Sequence, residues 1–294
     1  METEVNAFLS TLEADPAYSE STQLAYANDL RVFLLYLETI EEPKPALEDL
    51  NTEHVINFLE AERNLGRSRN TLVRRLATLT YFQDYLVNEG SLTVNQFDGT
   101  DGRIKQVISQ MPADESPKCL SEQQVQEVLL ILESSSRPRA LRDRAIFMLL
   151  LETGLSVASL TALDMTDIDI ASNRLHVHLA WVGDVWLGMG EARQPVEEYI
   201  LEGRPNLLHK PGEPALFISQ MDGRLSRQGV WQILKYWGLQ AEPAIPLSPR
   251  LVRHTAALRM KNAGMKSAGI QKRLGHRNLL STQALLRRLK ASCD

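Results

Sequence analysis

The stretch that decides the fold reads LSPRLVRHTAALRMKNAGMKSAGIQKRLGHRNLLSTQALL (247–286). Its apolar residues recur every three or four positions, which predicts helices over Pro249–Ala263, Ser267–Leu274 and Ser281–Lys290. Residues 201–294 have a net charge of +11, whereas the whole chain has a net charge of −5. This asymmetry indicates a local surface for a polyanion, although a solvated basic helix face without a ligand would produce the same pattern.

The rest of the C-terminal half combines helices with a small sheet. DIDIASNRLHVHL (167–179) alternates around an Asn turn, which predicts two strands. Trp181–Leu187 is a candidate third strand, and a turn at Gly183-Asp184 is the competing interpretation. Helical periodicity covers Ser121–Leu132, Leu141–Glu152, Gln194–Leu201 and Ser226–Trp237.

The first ninety residues predict a bundle of about four helices. Asn51 or Thr52 is placed to cap one helix, and Gly90 to end another that covers Arg69–Asn88. The segment Asn95–Pro117 is rich in Asp, Gly, Ser and Pro and has weak periodicity, which predicts a linker. The predicted domains are therefore a bundle at 1–94, a linker at 95–118 and a second domain at 119–294.

Composition narrows the class of protein. With 294 residues, 44% hydrophobic and 23% charged, the chain is typical of a soluble two-domain protein. Its apolar runs are far shorter than the ~20 residues of a membrane span, and METEVNAFLS has no signal-peptide pattern. Cys119 and Cys293 are too few for a disulfide framework or a zinc site. We expect a reduced, cytoplasmic protein without membrane association.

An ordered set of blocks carries a resemblance to a known family. LRDRAIFMLLLETGLSVASLTAL (141–163), TDIDIASNRLHVHL (166–179) and LSRQGVWQILKYWG (225–238) precede RHTAALRM and RLGH of the opening stretch. In this order and spacing they resemble the tyrosine recombinase/phage integrase family, in its Xer-like branch. STQLAYANDLRVFLLYL (21–37) and SRNTLVRRLATLTYFQDYL (68–86) resemble that family's core-binding domain.

The resemblance implies both a fold and a chemistry. The fold is mainly α, with an N-terminal SAM-like core-binding bundle and a C-terminal catalytic-type domain that contains a small antiparallel sheet; together they form a C-shaped clamp around duplex DNA. The family cuts and rejoins DNA through a tyrosyl-phosphate link. Two arginines hold the phosphate, a hairpin lysine is the acid, two further positions handle protons and a tyrosine attacks.

In order along the chain, the first three of these six catalytic positions are altered. The family's TGLR motif reads Thr153-Gly154-Leu155-Ser156, so Ser156 replaces the first arginine. The hairpin lysine would fall near Ala180 or Gly183, and no lysine occurs between residues 118 and 210. The HxxR motif reads Arg250-Leu251-Val252-Arg253, so its histidine is Arg250 and its arginine is kept as Arg253.

The last motif keeps its histidine and lacks the nucleophile. LGH is retained as Leu274-Gly275-His276, but the tyrosine position holds Leu285. Tyr199 and Tyr236 are the only tyrosines after the linker. Four of six catalytic positions are substituted and only Arg253 and His276 are retained, so no intact catalytic site remains and we expect a non-cleaving member of the family.

The resemblance also implies which residues face DNA. The predicted set consists of Arg67, Arg69, Arg74, Arg75, Arg224, Arg227, Arg250, Arg253 and His276. Against it stands the net charge of −11 on residues 1–66. An alternative without DNA is that Arg250 and Arg253 are surface arginines of an amphipathic helix. His276 would then only cap the turn between two helices.

Other residues have structural interpretations. His176 and His178 alternate on a strand but have no third ligand nearby in sequence, so we expect no metal and no cofactor. Core positions are expected for Trp181, Trp186, Trp231 and Trp237. For Leu285, Leu286 and Leu289, packing in the same chain and packing on a neighbouring protomer stay open.

These observations predict a duplex-DNA-binding protein in a DNA recombination or integration context, with an accessory, architectural or regulatory role. Its expected partners are duplex DNA and either a second copy or an active recombinase. One alternative is an active recombinase with a relocated nucleophile, such as Tyr236, Ser281 or Thr282. The other is a protein-interaction scaffold that does not bind DNA, for which the pI of 5.8 argues.

Overall fold

The computed structural model describes residues 1–15, 18, 20–40, 45–97, 102–111 and 118–293. The chain divides into an N-terminal unit, Met1–Glu115, and a C-terminal unit, Ser116–Asp294. Most described residues are helical and the strands form a small antiparallel sheet, as predicted.

The N-terminal unit is a helical bundle with an aromatic core. Its helices are α1 (Glu2–Ala14), α2 (Glu20–Ile40), α3 (Thr52–Asn64), α4 (Arg69–Asn88) and α5 (Gly102–Ser109). Phe33 packs edge-on against Phe58 with ring centroids 5.1 Å apart, and both rings are buried. Asn51 caps α3 by accepting a hydrogen bond from the Glu53 amide at 2.9 Å. Gly90, with φ of +75°, follows the end of α4 as predicted.

Part of the predicted linker, 95–118, is folded. Phe97 is fully buried, and its amide donates to Gln83 Oε1 at 3.0 Å. Ile104 and Val107 of α5 are buried in the same core as Phe97. The i, i+3 spacing of these two residues is helical, and the surrounding Asp, Gly, Ser and Pro residues mask it. Residues 98–101 and 112–117 lie outside the described part of the chain.

The C-terminal unit surrounds a buried helix, α7. Its helices are α6 (Glu122–Glu133), α7 (Pro138–Thr153), α8 (Val157–Ala162), α9 (Arg193–Glu198), α10 (Arg227–Gln240), α11 (Pro249–Asn262), α12 (Ser267–Leu274) and α13 (Leu279–Cys293). Helix α7 packs against α6, α9, α10 and α11. Its apolar residues, from Ala145 to Leu151, are buried, which explains why this segment has no polar face.

The sheet has the order β1 (Ile168–Asp169), β2 (Arg174–Leu179), β3 (Gly183–Gly188), with both pairs antiparallel. Leu175 and Val177 are buried, so this face of β2 lies against the core. Leu179 pairs with Gly183, which places the turn at residues 180–182 and makes Gly183 the first residue of the third strand.

A second apolar cluster joins α11, α12 and α13. Leu286 and Leu289 are buried there against residues such as Met260 and Ile270. These two leucines therefore pack within their own unit. Leu285 is half-buried on the edge of the cluster.

Three of the four tryptophans are not in the core. Trp181, Trp186 and Trp231 are 61%, 50% and 46% exposed, so the core prediction is wrong for them. Each has a cationic side chain over its ring, which covers part of the apolar surface without burial in the core. Trp237 is half-buried, and its Nε1 donates to Asp143 Oδ2 at 2.9 Å.

Two further observations concern hydrophobic helix length and the state of a cysteine. Among the described residues, no helix is both long and apolar enough to cross a bilayer. Cys119 is disulfide-bonded, so the expectation of a fully reduced chain is wrong for this residue. Pairing depends on how closely the fold brings two sulfurs together, which a count of cysteines does not reveal.

Candidate functional site

A pocket of about 230 Å³ in the C-terminal unit brings together residues that are far apart in the sequence. We call it the Arg253 pocket. It is lined by Leu155, Ser156, Val157, Pro249, Arg250, Arg253, His254, Leu274, His276 and Leu285. Five of the six positions singled out from the sequence thus share one cavity. The segment between α7 and α8, the end of α12 and parts of α8, α11 and α13 form its walls.

Arg253 connects two helix ends beneath the pocket. Its Nη1 donates to the carbonyl oxygen of Gly154 at 2.7 Å, and its Nη2 donates to the carbonyl oxygen of Leu274. Carbonyl groups at helix C-termini have no partner within the helix and carry partial negative charge, so a cation is favourable there. Burial lowers the pKa of Arg253 to about 10, which leaves it charged at neutral pH. Within the described ranges, no carboxylate forms an ion pair with it.

Two glycines allow the helix ends to meet Arg253. Gly154 and Gly275 have φ of +67° and +63°, the left-handed region that favours glycine. A Cβ on Gly154 would lie 2.7 Å from the Leu274 side chain. The TG and LG pairs of the two motifs are therefore needed for this close approach.

His276 lies on the pocket wall next to Gly275. Its Nδ1 is 2.9 Å from Thr282 Oγ1, and its backbone is held by Gln271, whose Nε2 donates to the His276 carbonyl at 3.0 Å. Burial lowers the pKa of His276, and the nearby Arg253 lowers it further. The imidazole is therefore neutral at pH 7 in the unliganded protein.

His254 is a pocket residue that the sequence reasoning missed. It is 9% exposed, and its Nδ1 lies 3.2 Å from the carbonyl oxygen of Lys118. Burial lowers the pKa of His254, and the positive charges of Arg250 and Arg253 lower it further. The hydrogen bond with Lys118 acts in the opposite direction and raises the pKa. Its position directly after Arg253 in the RHTAA block was the available signal.

Arg250 is the second cation of the pocket. It is exposed near the start of α11, where Ser248 caps the helix by accepting a hydrogen bond from the Leu251 amide at 3.3 Å. In the part of the chain that the structure describes, no carboxylate pairs with Arg250. It can therefore turn its guanidinium toward an anion without breaking an ion pair.

The two remaining pocket positions carry no charge. Ser156 caps α8, because its Oγ accepts a hydrogen bond from the Ser159 amide at 3.0 Å. Leu285 contributes an apolar wall and has no nucleophilic atom.

Neither C-terminal tyrosine lines the pocket. The Tyr199 hydroxyl is buried between the backbones of Leu216 and Ile218, and burial raises its pKa to about 12. Tyr236 is 55% exposed on α10.

The turn between β2 and β3 lies beside the same helix end. A Cβ on Gly275 would be 3.2 Å from the carbonyl oxygen of Ala180. The turn where the family lysine was expected is thus adjacent to His276, and it contains Ala180, Trp181 and Val182.

The structure separates the predicted arginines of the N-terminal unit. Arg75 is buried and forms ion pairs with both Asp29 and Glu62, so it is not available to DNA, and we withdraw it from the predicted set. Arg74 also pairs with Asp29, and burial raises the pKa of that carboxyl despite both arginines. Arg67 is exposed, with Nε 3.4 Å from Glu62. Arg69 is half-buried at the first position of α4.

Arg224 and Arg227 also differ in their surroundings. Arg224 pairs with Asp164 and donates to the Thr161 carbonyl at 2.9 Å, so it holds the segment after α8 in place. Arg227 is exposed at the first position of α10, directly after the N-cap residue Ser226.

The strand histidines each lie beside a carboxylate, with His178 3.0 Å from Asp184. Among the described residues, no three such side chains form a group that could hold a metal.

Family models match both units. The model of the phage integrase family matches residues 118–290, and that of the phage integrase N-terminal SAM-like domain matches residues 5–90. The chain belongs to the phage integrase family. The resemblance drawn from the sequence blocks is therefore confirmed, and this family is one of DNA recombination.

Individual relatives of this phage integrase family chain span nearly all of it. Tyrosine recombinase XerC of Roseiflexus castenholzii (strain DSM 13941 / HLO8) is 31% identical over 287 residues, which are 96% of this chain and 88% of that protein. Tyrosine recombinase XerD of Listeria monocytogenes serotype 4b (strain F2365) is 30% identical over 293 residues, which cover 95% and 92%. The Tn1549 transposon integrase, solved in complex with a circular intermediate DNA, has a TM-score of 0.72 at 18% identity, covering 96% of this chain and 94% of that one. That structural likeness confirms the fold class.

Proposed function

We propose that this phage integrase family member binds duplex DNA and holds a backbone phosphate in the Arg253 pocket without forming a tyrosyl-phosphate link. It then serves recombination as an accessory, architectural or regulatory factor. The observation that carries the proposal is the composition of the pocket. Arg250 and Arg253 line it together with the uncharged Ser156 and Leu285, and among the described residues no carboxylate pairs with either arginine.

The phosphate-binding part rests on the electrostatics of Arg253. A buried charge is costly unless a counter-charge or several hydrogen bonds compensate it. The two carbonyl bonds satisfy two of five guanidinium N–H groups, and the pocket side is left for an anion. A phosphate there would form charge-assisted hydrogen bonds with Arg253 and reach the exposed Arg250.

The non-cleaving part rests on what the pocket lacks. Leu285 cannot attack phosphorus, and Ser156 supplies no charge. Loss of one preorganised charge donor costs about 3–4 kcal/mol of transition-state stabilisation. The adjacent hairpin turn holds Ala180, Trp181 and Val182, none of which can protonate a leaving oxygen.

One contact favours the alternative of a relocated nucleophile. Thr282 Oγ1 lies 2.9 Å from His276 Nδ1, which is the distance between a hydroxyl nucleophile and its base. However, Thr282 is fully buried and does not line the pocket. Ser281 is exposed, and its Oγ donates to the Asn278 carbonyl at 2.7 Å. We therefore favour the non-cleaving function.

The proposed DNA contacts are the predicted residues that the structure leaves accessible. In the pocket these are Arg250, Arg253 and His276. Outside it, Arg227 lies at a helix N-terminus, which favours a phosphate. The set is completed by the exposed Arg67 and by the partly exposed Arg69, Arg74 and Arg224. Of these, Arg74 and Arg224 are held mainly in ion pairs.

The acidic N-terminal segment would have to face away from the DNA. A second copy or an active recombinase remains a proposed partner.

Two assays separate the three functions. Fluorescence anisotropy with a random duplex at low salt tests DNA binding, and a nicked suicide substrate analysed on a denaturing gel tests covalent attachment. Binding without an adduct supports the proposal. An adduct that disappears in Thr282→Val, Ser281→Ala or Tyr236→Phe would establish the relocated nucleophile. An absence of binding would leave the protein-interaction scaffold.

A further inference from the structure

The turn between β2 and β3 presents a tryptophan to solvent in an unusual backbone conformation. Trp181 is 61% exposed and has φ of +64°. A bulky side chain rarely adopts this left-handed region, and such residues concentrate at functional sites. The ring is not buried in the core, so its aromatic surface is available to a ligand.

An arginine covers one side of this ring. The Arg277 guanidinium lies 4.7 Å from the centroid of Trp181. Arg277 is exposed, and in the described ranges no carboxylate forms an ion pair with it. The pair therefore offers an uncovered aromatic face together with a positive charge, the two features with which proteins bind bases of single-stranded nucleic acid.

The ring also lies next to the Arg253 pocket. Arg277 directly follows His276, which lines the pocket, and a Cβ on Gly275 would lie 3.2 Å from the Ala180 carbonyl oxygen. A nucleotide whose phosphate occupies the pocket would thus place its base near Trp181. A base within an intact duplex is already stacked on both sides and offers no free face. An unpaired base offers one.

A second exposed tryptophan on the same hairpin provides a contrast. Trp186 lies on the solvent face of β3, opposite His176 and under Arg174 at 4.4 Å. Arg174 is neutralised by Asp169 at 3.0 Å. Trp186 is also four residues from the turn, about 13 Å along the strand. It has neither a free cation nor a phosphate pocket beside it.

We propose that Trp181 stacks on an unpaired nucleobase adjacent to the phosphate held in the Arg253 pocket, so that the protein prefers gapped DNA to intact duplex. The inference rests on the proposed function and narrows it to DNA with locally unpaired bases.

The test compares an intact duplex with the same duplex carrying a short single-stranded gap. Trp181→Ala should lower affinity for the gapped DNA by about 5- to 150-fold, the range that corresponds to base–aromatic stacking. Affinity for the intact duplex should stay the same. Trp181→Phe should keep most of the preference, and the matched control Trp186→Ala should keep all of it.

A fluorescent base gives an independent measurement. 2-Aminopurine in the gap should be quenched on binding wild type and Trp186→Ala, and not on binding Trp181→Ala. Equal affinity of wild type for both DNAs, or an unchanged preference in Trp181→Ala, overturns the inference and leaves the proposed function standing. Failure of wild type to bind either DNA overturns both.

Discussion

Arg253 on α11 donates a hydrogen bond of 2.7 Å to the carbonyl oxygen of Gly154 at the end of α7. The same guanidinium reaches the carbonyl of Leu274 at the end of α12 and lines the pocket. One side chain therefore both joins three helices and offers positive charge to a ligand. Experiments on it must separate folding from binding.

Arg253→Ala should lower both stability and DNA affinity. Two buried carbonyls lose their donor, which costs about 1–3 kcal/mol of the free energy of unfolding. The log–log salt dependence of DNA binding should flatten by about one unit, because one fewer counterion is released.

Arg250→Ala should weaken DNA binding in the same way with unchanged stability, since Arg250 is exposed. Urea denaturation and binding titrations at several salt concentrations measure the two effects.

The control for Arg253 is Arg287→Ala, which removes one exposed charge from α13 outside the pocket. If Arg287→Ala and Arg253→Ala reduce affinity equally, the pocket has no special role. If Arg253→Ala leaves DNA affinity unchanged, the protein has the fold of the family but does not hold a DNA phosphate in the Arg253 pocket.

His276 should make both stability and DNA binding depend on pH. Its pKa in the folded protein lies below the value of 6.5 for an unperturbed histidine, so the unfolded chain binds more protons. Stability is therefore fully present above pH 6.5 and declines as pH falls below that value. His254, whose pKa is also lowered, should contribute in the same direction. His276→Gln should weaken this decline in thermal unfolding measured between pH 5 and 8.

A bound phosphate should raise the pKa of His276 and reverse part of this trend. DNA affinity should then increase in wild type as pH falls and the imidazole in the complex becomes protonated, with a smaller increase in His276→Gln. His209→Gln, an exposed change outside the pocket, is the control. Identical pH profiles for wild type and His276→Gln would show that His276 does not face the phosphate.

Restoring the nucleophile should not restore cleavage. The double variant Ser156→Arg with Leu285→Tyr supplies a second arginine and a tyrosine, yet the hairpin still lacks an acid and Arg250 still occupies the histidine position. We expect no covalent adduct with a nicked substrate on a denaturing gel. An adduct from the double variant would show that the remaining positions are dispensable.

Arg75→Ala should act on folding and not directly on DNA. Removing one partner of a buried ion pair costs about 3–5 kcal/mol, and here it leaves Asp29 and Glu62 uncompensated. Chemical denaturation should show this loss, whereas Arg67→Ala, at an exposed position, should change stability little. A folded Arg75→Ala protein that is as stable as wild type and binds DNA weakly would reinstate Arg75 as a DNA contact.

Local sequence was sufficient for the helices, their ends and the altered motif. Periodicity over ten to twenty residues sets the buried stripe of a helix, and caps such as Asn51 act on the amides of the next turn. The replacement of arginine by Ser156 and of tyrosine by Leu285 is readable from motif spacing alone. The segment containing Ile104 and Val107 was missed because the Asp, Gly, Ser and Pro residues around it resemble a linker, although Ile104, Val107, Ile108 and Met111 follow helical spacing.

The tertiary structure decided which charges and rings are available. Arg74 and Arg75 are adjacent in sequence, yet Arg75 is buried because the fold places Asp29 and Glu62 around it. Trp181 is exposed because a tight turn holds it away from the core. The sequence by itself determined the family and the missing catalytic groups. Burial, charge pairing and the meeting of Arg253, His276 and Leu285 depend on contacts between residues far apart in the chain, which only the folded chain specifies.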